Sequence, residues 1–133
     1  MTTIHAAGSF EVKLLPQALA DADSGLGRMS IDKVFSGDLQ GTSTGEMLTA
    51  LTAVKGSAGY VAIERVTGTL QGRSGSFMLQ HLGTMTRGEP TLRVLVVPDS
   101  GTEGLAGIAG SLSIDITNGK HFYKLDYTLP PAA

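Results

Sequence analysis

Glu64 and His81 carry the sharpest chemical signal in this chain. A carboxylate beside an imidazole fixes the ring's tautomer and raises its basicity, which is how a general base is made. The plainer alternative is an exposed cross-strand pair worth about 0.2–1 kcal/mol. Lys33 and Glu46 form a second candidate pairing. If both point into an interior, their charges need each other or a ligand, because a buried unpaired charge is costly. A structural ion pair is the plainer reading there. Tyr60, Tyr123 and Tyr127 offer phenolic hydrogen bonds to a ligand's oxygen. Core tyrosines with one wet end are the bland counterpart. Phe77 shares the period-two face of Glu64 and His81 and would supply apolar wall. Candidate catalytic residues are therefore Glu64, His81 and Glu46. Candidate ligand-binding residues are Lys33, Tyr60, Phe77, Tyr123 and Tyr127.

Other chemistries find little support. The chain has no Cys, which excludes a disulfide framework, a cysteine zinc site and a thiol nucleophile. His5, His81 and His121 are not spaced as metal ligands, and no metal or other cofactor is expected. Gly-rich stretches lack the following helix that a phosphate-cradling loop needs. Gly-Ser-Ala-Gly (56–59) and Gly-Ser-Leu-Ser (110–113) fail the nucleophile-elbow pattern. The ten basic residues are scattered and the net charge is −2, so nucleic acid is not an expected partner. No apolar run approaches the roughly 20 residues of a spanning helix, and no secretory signal opens the chain. Cytoplasmic residence is the default expectation.

The elements that must position these residues are strands. Phe10, Val12 and Leu14 alternate with Ser9, Glu11 and Lys13. The same period of two runs through 29–36, 92–97, 112–117 and 122–127. Helix signals are short: Pro16–Asp23 has room for a turn or two, and 46–54 suits a strand at least as well.

Turn chemistry sets the expected registers. Asn118-Gly119 is a type I′ candidate that places Ile114 opposite Tyr123 and Leu112 opposite Leu125. Gly37-Asp38 suits a type II′ turn, which would place Lys33 opposite Thr42 and Met29 opposite Glu46. The inner wall would then be unusually polar and would suit a wet or ligand-filled interior. Gly72-Arg73 as a further II′ turn would place Glu64 directly opposite His81 and Val66 opposite Leu79. Periodicity alone leaves open which face of 60–67 and 77–82 points inward. The reading adopted puts Glu64 and His81 inside.

Composition agrees with a single β domain. Of 133 residues 41% are apolar and only 17% charged, and 18 are glycine. So many glycines fit bulges, corners and close strand approach. The expected fold is all-β: a closed antiparallel eight-stranded meander barrel with at most short helical turns. It would span residues 9–130, between a flexible N-terminus (1–8) and a flexible C-terminus (131–133). Closure removes the exposed edges that a flat meander would leave.

The stretches GSAGYVAIERVTG (56–68), GSFMLQHLGTMTRG (75–88), VVPDSGTEGLAGIAGSLSI (96–114) and GKHFYKLDYTLP (119–130) resemble a bacterial family of uncharacterised proteins with an allene-oxide-cyclase-like barrel. The likeness runs from about Phe10 to Pro130. It implies an antiparallel eight-stranded barrel with a central cavity and assigns no activity. The plant cyclases rearrange a fatty-acid epoxide using a glutamate and an ordered water, among other residues. Glu46 or Glu64 would be the analogous glutamate, by fold-level analogy alone.

The functional expectation is a barrel that binds a small, largely apolar or amphipathic molecule in its lumen. The alternatives are a cyclase or isomerase with a luminal glutamate as general base, and a structural subunit whose outer apolar face builds a homo-oligomer.

Overall fold

In a computed structural model, residues 2–19 and 25–131 are described. Eight strands form: β1 (Ile4–Pro16), β2 (Leu26–Gly37), β3 (Leu39–Leu51), β4 (Ala58–Leu70), β5 (Arg73–Thr86), β6 (Glu89–Val96), β7 (Ala109–Thr117) and β8 (Lys120–Thr128). Each pairs antiparallel with the next, and β8 returns to β1 to close the barrel. The helix among the described residues is a single 3-10 turn at Glu103–Leu105. No helix there is long and apolar enough to cross a membrane. The anticipated turns at Pro16–Asp23 fall partly outside the described residues, and 46–51 belongs to β3.

The N-terminal boundary differs from expectation. β1 takes in residues 4–8, which the sequence leaves as a flexible end. Pairing of Ile4 with Tyr127 and of Ala6 with Leu125 explains the difference. A terminal segment is held when its backbone completes a ladder, and here it supplies the closing seam.

Three hairpins turn on an X-Gly pair with both residues at positive φ: Gln71-Gly72, Arg87-Gly88 and Asn118-Gly119. That geometry is type I′, whose twist matches the strands it joins. The register expected after Asn118-Gly119 is the one observed, with Ile114 opposite Tyr123 and Leu112 opposite Leu125.

The other two expected registers shift. With the turn at Gln71-Gly72 rather than Gly72-Arg73, Val66 faces Phe77 and Glu64 faces Leu79, two residues from the expected pairing. An even shift preserves the face of every side chain, so Glu64 and His81 still both point inward. The β2–β3 register shifts by one: Lys33 faces Ser43 and Met29 faces Met47. Leu39 enters the core with no exposed surface, so Gly37-Asp38 cannot close as a two-residue turn. This odd shift sends Gln40, Thr42, Thr44 and Glu46 outward, and the inner wall of β3 becomes Leu39, Gly41, Ser43, Gly45 and Met47.

The two ends of the barrel differ. At one end Phe35, Leu39, Leu70, Phe77, Tyr123 and Leu125 pack as a dry core. The β6–β7 connection folds over that end and inserts Leu105 and Ile108, both buried. It also extends the sheet, since Val97 N–H donates to Met78 C=O and Thr102 N–H to Ser76 C=O. Toward the opposite end β6 and β7 part. Their ladder contains only Val94–Leu112 and Leu95–Ser111, against eight paired positions between β5 and β6.

Candidate functional site

Glu64 sits in mid-barrel on β4 with no exposed surface. Gly45 lies opposite it on β3. A Cβ at Gly45 would come within 2.6 Å of Glu64 Cα and 2.8 Å of its Cβ, so this glycine admits the glutamate at that spacing. Both carboxylate oxygens are engaged. Oε2 accepts from Lys33 Nζ at 2.7 Å and from His81 Nε2 at 2.6 Å. Oε1 accepts from Ser43 Oγ at 2.8 Å. Lys33 and His81 are buried too, at 8% and 4% exposure. Burial alone would push the Glu64 carboxyl up, but the His81 hydrogen bond and the Lys33 ammonium outweigh it and hold the pKa at about 2.

Since Glu64 is a carboxylate, it can only accept, so Nε2 of His81 carries a proton. The imidazole is thereby fixed with Nδ1 as its second nitrogen. Among the described residues Nδ1 has no hydrogen-bond partner, whereas every fully buried side-chain nitrogen and oxygen has one. The His81 ring lines the cavity described next. Lys33 Nζ also lies 4.8 Å from the centroid of the Phe10 ring, a cation–π contact that supports the charge on its other side.

Above this cluster is a cavity of about 190 Å³ toward the end where β6 and β7 diverge. Its wall is mostly apolar, including Phe10, Ile31, Met47, Leu92 and Ile114. Lys33, His81, His121 and Tyr60 bring polar groups to it, and among the described residues no acidic one lines it. Glu64 thus acts on the cavity through Lys33 and His81. The His121 ring packs against Phe10, with centroids 5.1 Å apart. Leu92, Ile114 and Ile116 border the unpaired stretch of the β6–β7 seam.

Tyr60 stands at the mouth. It and Leu92 also line a neighbouring apolar cleft of about 330 Å³ bounded by Leu51, Met85 and Pro90. The ring lies over Gly83, where a Cβ would come within 2.8 Å of Tyr60 Cδ1. Burial and the nearby Glu64 charge both raise the Tyr60 pKa, so its hydroxyl stays protonated and able to donate.

Of the anticipated site residues, the structure brings Glu64, His81, Lys33 and Tyr60 together and leaves four elsewhere. Glu46 points outward on β3, where its Oε1 accepts from Arg28 Nε at 2.6 Å. The one-residue register shift removes it from Lys33, whose carboxylate is Glu64. Phe77, Tyr123 and Tyr127 do not line the luminal cavity: they fill the packed end. The Tyr123 hydroxyl accepts from Leu39 N–H at 2.9 Å and donates to Ser36 C=O at 2.9 Å, fastening the β2–β3 turn. The Tyr127 hydroxyl donates to Gln71 Oε1 beside the β4–β5 turn. The Tyr123 phenol is thus engaged by backbone groups and the Tyr127 phenol by a side chain.

Sequence reasoning missed Ser43 and His121. Ser43 becomes visible only in the observed register. His121 follows the Asn118-Gly119 turn on the same face as Tyr123, and that alternation was a usable signal. Among the described residues no group of three or more His, Asp or Glu is placed to hold a metal ion.

A family model described as a protein of unknown function (DUF3224) matches residues 6–127. A solved structure from Shewanella oneidensis MR-1, described as a protein with unknown function from the DUF3224 family, is 51% identical. The match covers 98% of this chain and 100% of that one, with a TM-score of 0.93. No curated protein matches.

Proposed function

Because the chain belongs to the DUF3224 family, whose description assigns no activity, its function must be argued from its own side chains, and we propose that the barrel binds a compact, mostly apolar molecule carrying one acceptor oxygen. The observation that carries this reading is the buried Lys33–Glu64–His81 cluster beside an apolar cavity. A purely structural barrel would gain as much from apolar side chains at these positions, since desolvating the charges offsets most of their attraction. Lys33 and Tyr60 supply donors and the wall supplies apolar area. The size of the cavity limits the ligand. An apolar cavity of roughly 150 Å³ accepts benzene, so about 190 Å³ suits a single ring with a carbonyl or carboxylate. A long acyl chain would have to continue past Tyr60 into the adjoining cleft.

Ligand-observed NMR and thermal shift with cyclohexanone, benzoate, cyclohexanecarboxylate and cyclohexane test the proposal. Binding of the oxygen-bearing compounds above cyclohexane is expected, with resonance changes at Lys33, His81 and Leu92. No binding by any of the four, or changes confined to the outer surface, would refute it.

Self-association is a second reading, supported by the outer wall. Leu48, Val61 and Leu82 are successive cross-strand neighbours on β3, β4 and β5, each about half exposed. Ile63 and Leu95 adjoin them on the same outward face. A contiguous apolar patch of this kind suits a second copy of the chain. Sedimentation should reveal an oligomer that Val61→Lys dissociates; a monomer at high concentration would dismiss this reading.

A further inference from the structure

We infer that His81, rather than either glutamate, is a proton-transfer base, and that the cavity can enolise a small ketone. This rests on the binding reading above and adds a reaction to it. Three observations carry it. Glu64 accepts from His81 Nε2 at 2.6 Å, which leaves Nδ1 as the nitrogen free to take a proton. Nδ1 has no partner among the described residues, and the ring lines the cavity. Glu64 itself is fully buried, engaged on both oxygens by Lys33, His81 and Ser43, and does not line the cavity.

The step balances within the site. The Nδ1 lone pair takes an α-proton as the carbon–hydrogen bond breaks. The bonding pair becomes the carbon–carbon double bond of an enolate, and the carbonyl π pair moves onto oxygen. Lys33, lining the same cavity, offers that oxygen a positive charge and an N–H. Glu64 stabilises the imidazolium formed at His81 and acts as a positioning residue. Return of the proton to the same carbon gives exchange; return to a conjugated position gives isomerisation. No oxidant, reductant or other co-reactant is consumed. Among the described residues, the ionisable groups around the ring are Glu64 and Tyr60 from β4, Lys33 from β2 and His121 across the cavity from β8.

The test is exchange of the α-hydrogens of cyclohexanone in deuterium oxide, followed by NMR. The native chain should exceed an equal concentration of imidazole by about 100-fold or more, the ordinary contribution of a positioned base. His81→Gln, which keeps an N–H for Glu64, should return the rate to background while cyclohexanone still binds. Nitrogen-15 NMR of the native chain at pH 8 provides a readout that needs no variant. It should show the His81 Nε2 carrying the proton shared with Glu64. Glu64→Gln should let the other tautomer appear, and an unchanged tautomer would remove Glu64 as the positioning residue. Binding without exchange, failure of cyclohexanone to bind, or a native His81 tautomer with its proton on Nδ1 instead of Nε2 would each overturn the inference. The first and third leave the binding reading intact; failure of all four probe molecules, or resonance changes confined to the outer surface, removes both.

Discussion

Glu64 and His81 are not cross-strand partners. Leu79 lies opposite Glu64 and Ala62 opposite His81, yet Glu64 Oε2 is 2.6 Å from His81 Nε2. The bond runs diagonally across the inner face of β4 and β5, a span that two long side chains can bridge. The diagonal leaves room for Lys33 to reach the same oxygen from β2. The cluster thus joins strands across the lumen as well as along the wall. Four predictions follow from this arrangement and from the packed end below it.

The first concerns acid. Folding lowers the Glu64 pKa from its ordinary 4.5 to about 2. A depressed carboxylate contributes stability that is fully present above its unfolded value and disappears as pH falls through the folded one. The window is therefore pH 4.5 down to about 2, and the contribution is on the order of 3 kcal/mol. Urea unfolding across that range should show the loss, and Glu64→Gln should flatten the slope. An unchanged slope in the variant would contradict the assignment.

Removing the lysine should expose the coupling. Lys33→Met leaves the buried carboxylate without its ammonium and should destabilise the barrel by about 3–5 kcal/mol. Replacing Glu64 as well, in Lys33→Met/Glu64→Leu, should cost less than the two single changes added together. Coupling of about 0.5–3 kcal/mol is expected from a double-mutant cycle on unfolding free energies. Simple additivity would mean that the ion pair plays no part in stability.

Tyr123 should behave as a fastener. Tyr123→Phe keeps the ring against Phe35 but removes the hydroxyl that meets Leu39 N–H and Ser36 C=O. Leaving these groups unsatisfied should cost about 1–3 kcal/mol. Ligand binding at the other end should persist, measured under conditions where the variant is folded. Selective loss of binding by a stably folded variant would return Tyr123 to the ligand site.

Glu46 supplies the contrast. Its ion pair with Arg28 is on the outer surface, with side chains 58% and 41% exposed. Exposed pairs contribute about 0–1 kcal/mol, and Glu46→Ala should fall in that range. Thermal unfolding and cyclohexanone binding should both remain close to those of the native chain. A large effect on either would place Glu46 inside after all.

Alternation along the strands was enough to specify an all-β chain and to sort the side chains of β4 and β5 into two faces, but not to say which face is interior. Asn118-Gly119 fixed its hairpin because a type I′ turn allows one local pairing. The inward placement of Glu64 and His81 survived a misjudged turn because the error was two residues, and faces repeat every two. The one-residue difference at Gly37-Asp38 did not forgive: it exchanged Glu46 for Ser43 on the inner wall. Local turn chemistry could not settle that register. Burial of Leu39 and the Tyr123 hydroxyl, 84 residues away along the chain, settle it. The same holds for the division of the lumen into a packed end and a cavity. A pattern of period two says which side chains share a face; which face is inward, and what fills the space within, depends on which strands meet and where they part.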